Sequence, residues 1–233
     1  MKRLASKLLA IKPAGAGQLQ REGRELLRLG TLIDSVFAIV IVVMVLDLPE
    51  PDESIALDLA SFIAFKLDSL VVAMLGIIVV LVYWFQSNLL LGNLNRTDGP
   101  HATISLLQIF LVLAYLLFVS LGIDGGDDPL VLAAQSISAA LVGFAAAAAW
   151  WYASYQRRLL TSEISDSEVA ALQLRVLAEP VTALLTLGLA FVSALAWELG
   201  WLAYPLIAAL LRKGGVGSST GPVSDAATTD KKS

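Results

Sequence analysis

Between residues 28 and 51 the chain reads R-L-G-T-L-I-D-S-V-F-A-I-V-I-V-V-M-V-L-D-L-P-E-P, from Arg28 to Pro51. A cation opens the stretch, one acid, Asp34, follows, and the twelve residues after it, 35–46, carry no charge. Pro49 and Pro51 end it, because proline has no N–H for the helical ladder and its ring clashes with the preceding turn. Leu29 to Leu48 is about twenty residues, or roughly 30 Å of helix, the length of a bilayer crossing. A carboxylate inside such a span is costly and marks a functional site. Close to the helix start, Asp34 also gains from the positive end of the helix dipole.

The same apolar density recurs along all 233 residues: 57% are hydrophobic, 15% are charged, and mean hydropathy is +0.76. A soluble domain of this size carries more charge. Several apolar runs of eighteen or more residues make the chain a polytopic, all-α membrane protein. With no cysteine there is neither a disulfide nor a thiolate metal site. The lone His101 excludes a histidine metal cluster or catalytic triad within one chain. No cofactor, no metal and no nucleic-acid partner is expected.

Residues 1–27 read as a basic arm, with Lys2, Arg3, Lys7, Lys12, Arg21 and Arg24 against Glu22 and Glu25. Lys7 and Lys12 interrupt any signal-peptide core. The arm is expected to lie on anionic lipid, with Pro13–Gly17 as a loose joint. The second span is expected near Leu67–Leu90, with Lys66 and Asp68 at its outer end. Tyr83 and Trp84 form an interfacial aromatic pair near the other. The third runs near Ala102–Leu121, with His101 as a solvated cap at its start. The fourth runs near Leu130–Tyr152, and its Ala145–Ala149 run lets helices approach closely. Arg157–Arg175 is a connector, partly helical. Val176–Leu211 suffices for two spans, with a turn near Trp197–Gly200 and Glu179-Pro180 as a helix start. The expected domains are the arm 1–27, a six-helix transmembrane domain 28–212, and a disordered, Gly/Ser/Thr-rich tail 213–233.

Charge orients these spans. Every Lys and Arg except Lys66 falls on the side of the N-terminus. The other side holds Asp47, Glu50, Asp52, Glu53, Asp58, Asp124, Asp127, Asp128 and Glu198. By the positive-inside rule both termini are cytoplasmic, in a cell membrane.

The first helix resembles that of the lysosomal potassium channel family in its bacterial branch, the transmembrane-protein-175 type. Arg28, Asp34, Val36, Phe37, Ala38, Ile39, Leu46 and Pro51 stand where that pattern has them. Leu32-Ile33 replace an aromatic-Ser pair, and Val42 replaces a threonine. Gln86, Ser87 and Asn88 after Trp84 replace a histidine pair. The resemblance implies a homotetramer conducting potassium ions, with helix 1 of each subunit lining the pore. It implies that aliphatic rings at Ile39, Val43 and Leu46 form the narrow part. These three lie within about 60° of one another on a helix, and Leu32 and Ser35 extend the stripe. On its own such a stripe is a packing or lipid-facing surface. The resemblance further implies that Arg28 and Asp34 tie helix 1 to neighbouring helices. Six positions apart, the two do not face each other. Trp84, Gln86, Asn88 and Ser105 are the candidate partners of Asp34. Arg28 can also anchor at the lipid interface.

Two other classes compete. A proton-coupled or other secondary transporter needs acids at mid-depth or broken helices; Asp34 and Glu179 are the acids on offer. A membrane enzyme needs paired acids, a metal cluster or a nucleophile with a base at one face, and the sequence presents none.

Overall fold

The computed structural model describes residues 16–46, 59–125 and 127–216, with side chains at 17–46, 60, 71, 73–123 and 127–211. The acidic segment 47–58, the start of the arm, the end of the tail, and the side chains of Lys66, Asp68 and Asp124 lie outside this set. Among the described residues the fold is all-α. Its eight α-helices are α1 (Ala16–Leu46), α2 (Leu59–Gly92), α3 (Gly99–Gly125), α4 (Pro129–Ser154), α5 (Asp166–Arg175), α6 (Ala178–Leu189), α7 (Ala194–Trp201) and α8 (Tyr204–Val216). Among the described residues five segments are long and apolar enough to cross a membrane, α5 and α6 counting as one, with the pair α7–α8, bent by 41°, a sixth if it crosses as one broken span.

Helix α4 is the hub. Within its apolar eighteen-residue stretch 67% of residues are buried, against 28% for the corresponding stretch of α1, so α4 is central and α1 peripheral. Asp128 caps α4 by accepting from the Leu130 N–H at 2.8 Å, and Pro129 stands in the first turn, where its missing N–H costs nothing. The small residues of α4 then let α3 and α6 pack along it. The closest approach is at Gly143. A methyl group there would collide with the Glu179 carboxylate and come within 2.7 Å of Pro180 Cδ. Gly143→Ala is therefore expected to lower thermal stability in detergent by about 1–3 kcal/mol, the usual cost of overpacking. An unchanged melting temperature would refute this contact. A second close approach joins α1, α2 and α3 at Gly76, beneath Met44 and Val119.

Helix α1 starts twelve residues before Arg28 and runs unbroken for 31 residues, so the second half of the expected arm is helical. Gln18 donates to Glu22 one turn on, at 2.8 Å, supporting that helix locally. Glu22 also pairs with Arg96 at 3.5 Å, and its carbonyl accepts from the Thr97 N–H at 3.3 Å. Arg96 in turn donates to the Arg158 carbonyl at 3.0 Å. Tyr152 donates to Asp98 at 2.8 Å. These contacts gather the start of α1, the α2–α3 turn and the end of α4 at one face of the bundle.

The last two spans depart from expectation. The chain turns at Ala190–Ser193, not at Trp197–Gly200, which lies inside α7. Ser193 is the reason: its hydroxyl accepts from the Ala196 N–H at 3.1 Å and starts α7 there. Trp197, buried, donates through Nε1 to Ser136 on α4 at 2.8 Å, a packing role no turn residue could fill. The bend after Trp201 follows from Pro205, which has no N–H to offer the carbonyl one turn back.

Candidate functional site: the two-faced first helix

Turning α1 by about 100° per residue separates its side chains into two arcs. One arc, Leu29, Ile33, Phe37, Val40 and Met44, is buried against α2 and α3. The other faces away from the subunit: Ile39 is 60% exposed, Val42 57% and Leu46 75%. Val43 lies between them, half-buried at the edge of the outward arc. Leu32 and Ser35 continue the outward arc toward the start of the helix. The hydroxyls of Thr31 and Ser35 return to carbonyls one turn back, at 3.0 and 2.8 Å. They add no polar donor to that face.

Asp34 stands at the far edge of the outward arc, beside α2. Its Oδ1 accepts from Trp84 Nε1 at 2.9 Å. The structure leaves the other candidate partners elsewhere. Asn88 donates to the Trp84 carbonyl at 3.1 Å. Gln86 donates to the Val176 carbonyl at 3.0 Å. Ser105 is buried and donates to the His101 carbonyl at 3.0 Å. Arg28 is exposed, and no hydrogen bond or ion pair among the described residues includes it.

Two expectations about polar and aromatic residues are corrected. His101 is not solvated. It is 3% exposed, with ring Nδ1 at 2.8 Å from the Thr97 hydroxyl and its backbone N–H donating to Asp98 Oδ1 at 3.1 Å. With Ser87, Ser105, Gln108 and Trp150 it borders a cavity of about 20 Å³, room for one water. Nor is Tyr83 interfacial: it is fully buried, with its ring edge-on to Tyr115 at 6.2 Å. Its hydroxyl lies 2.6 Å from Glu179 Oε1 and 2.8 Å from the Ala139 carbonyl oxygen. Trp84, one residue on, is half-buried and turned to Asp34. Read from sequence, Glu179 is a helix-start acid; the fold sinks it between α2, α4 and α6. An acid within a long apolar run was the available signal.

Comparison with known proteins bears on both helices. Residues 28–117 match the family described as Endosomal/lysosomal potassium channel TMEM175. No curated protein matches the chain. Among solved structures, the fold is similar to a lysosomal potassium-selective channel TMEM175 homolog from Chamaesiphon minutus. That likeness has a TM-score of 0.63 at 20% identity and covers 84% of this chain and 99% of the other. The resemblance carried by Arg28, Asp34 and the aliphatic run behind them thus extends into the third span in sequence, where residues 28–117 are similar to the TMEM175 family, and through most of the bundle in fold.

Proposed function

We propose that this chain is the subunit of a homotetrameric, potassium-selective channel. In it α1 lines the pore, and Ile39, Val43 and Leu46 form its constriction. The observation that carries the reading is the two-faced α1 inside the segment matching a potassium channel family. Lipid alone could cover Ile39 and Leu46. It would cover Asp34 badly, because a carboxylate against hydrocarbon costs several kcal/mol. The outward arc thus has one edge suited to water or protein and a middle suited to a dry ring.

Such a ring sorts ions by dehydration. It offers no oxygen to replace the hydration shell and can empty of water. Potassium, larger and more weakly hydrated than sodium, crosses it at less cost. Acidic loops on the outer side, including Asp127 and Asp128, concentrate cations at the mouth, an effect salt screens.

A secondary transporter is the second reading. One observation favours it: a buried acid, Glu179, beside the broken pair α7–α8. Purified protein in a planar bilayer separates the two. Unitary current steps with a potassium-selective reversal potential, from particles with fourfold symmetry, are expected. Monomeric particles, or saturable uptake without unitary steps, would refute the channel.

The orientation has its own test. Cysteines at Asp52 and Asp127 should react with an impermeant reagent applied to intact cells; cysteines at Arg157 and Ser218 should not. Labelling at Arg157 from outside would overturn cytoplasmic termini.

A further inference from the structure

The Tyr83 hydroxyl has one proton and two acceptor oxygens in range: Glu179 Oε1 at 2.6 Å and the Ala139 carbonyl at 2.8 Å. Two linear hydrogen bonds through that oxygen need two protons. Neither Ala139, which offers a carbonyl, nor an ionised carboxylate can supply the second. A carboxylic acid can. Glu179 would then donate to Tyr83, and Tyr83 to Ala139.

The surroundings of the carboxyl agree. Glu179 is 2% exposed, and its Oε2 has no hydrogen-bond partner among the described residues. That oxygen rests on Gly143, whose own N–H is committed to Ala139 by the helical ladder. The groups facing the carboxyl are Tyr83 from α2, with Tyr115 of α3 behind it, and Tyr204 from α8 across a shared cavity. Arg175 lies beyond Tyr204 in a neighbouring cleft. Helix α4 presents a carbonyl and a glycine. The shared cavity, about 150 Å³, is otherwise lined by apolar side chains such as Ile78, Val79, Val82, Trp201 and Pro205. No ion pair among the described residues includes Glu179. Gly143 is eleven residues from the end of α4, so the carboxyl lies roughly 16 Å from that end of the bundle. An ionised carboxylate at that depth would have one hydrogen-bond donor among the described residues, the Tyr83 hydroxyl, and no counter-charge.

We propose that Glu179 is held as the neutral acid. Its chain of two hydrogen bonds, Glu179 to Tyr83 to the Ala139 carbonyl, clasps α6, α2 and α4 together. The clasp sets the register of α2 one residue before Trp84, and Trp84 holds Asp34 on α1. Glu179 is thus a positioning residue for the first helix; the link from clasp to current rests on the channel reading above, while the clasp itself does not.

The test uses the full-length protein in detergent or lipid. Infrared spectra at neutral pH should contain the carbonyl stretch of a buried protonated carboxylic acid, absent from Glu179→Gln. Folding that takes up a proton loses stability as pH rises, because the native state then binds more protons than the unfolded one. Wild-type melting temperature should therefore fall from neutral to alkaline pH more steeply than that of Glu179→Gln. Glu179→Gln, whose amide can still donate to Tyr83, should keep assembly and current. Tyr83→Phe, which breaks both bonds, should lose thermal stability and shift the infrared band. No protonated-acid band in the wild type, or equal pH slopes in the two proteins, would overturn the clasp. A protein with the band but without unitary current would keep the clasp and remove the channel.

Discussion

Ile39→Ala should raise single-channel conductance and lower potassium-over-sodium selectivity without destabilising the subunit. The side chain is 60% exposed in the single chain, so its truncation removes little packing within the bundle. Substitutions at such positions usually change stability by no more than about 0.5 kcal/mol. In the proposed pore, by contrast, three carbons are lost from each of four subunits at the narrowest ring. Both ions then pass with more of their water, and the dehydration difference that separates them shrinks. Ile39→Asn should also weaken selectivity, because an amide contacts either ion and the dry barrier is gone. Val43 and Leu46 should show the same effect to a smaller extent. Phe37 is the control: two positions away, it is 3% exposed on the opposite arc. Phe37→Ala should cost about 3–5 kcal/mol of stability by opening a cavity. Reversal potentials under potassium and sodium gradients, with thermal melts of the same proteins, make the comparison. An unchanged reversal potential in both Ile39 variants would take this residue out of the pore.

Trp84→Phe and Asp34→Ala should each lower oligomer stability and current, and the double variant should be little worse than either. The bond joining them, Nε1 to Oδ1 at 2.9 Å, is the direct hydrogen bond between the side chains of α1 and α2 among the described residues. Phenylalanine keeps the apolar bulk of the ring and removes the N–H. Alanine removes the acceptor. Either change leaves the remaining partner unmade, which for a bond to a charged group costs about 1.5–3 kcal/mol when buried. Asp34 is exposed in the single chain, so the low end of that range applies unless a neighbouring subunit covers it. Asp34→Asn retains a carbonyl acceptor and should recover part of the loss. A double-mutant cycle on melting temperature and current measures the coupling; a contacting pair gives about 0.5 kcal/mol or more. Strict additivity would mean that the two side chains do not hold the helices together.

Much of the fold was legible in the chain itself. A run such as 35–46, without one charge and ended by prolines, has few alternatives to a membrane helix. The third and fourth spans therefore lie within a few residues of where apolar length puts them. Local chemistry could also single out Asp34 and Trp84, since an acid and an indole N–H near the ends of adjacent spans need partners. Other features escaped a reading by periodicity. Trp197–Gly200 resembles a turn because it holds a polar and a glycine residue, yet Ser193 caps α7 first and Trp197 reaches Ser136. Tyr83 and His101 look like interfacial residues, because aromatic and polar side chains near a span end usually meet water. They are buried because α4 and the α2–α3 turn close over them. The sequence by itself determined which segments are long and apolar enough to cross a membrane, because that depends on the hydropathy and length of each segment alone. Only the tertiary structure decided which arc of α1 turns outward and that Glu179 faces Tyr83 and Gly143 instead of water. Those choices depend on which helices stand side by side, and that is set by the packing of residues far apart in the chain.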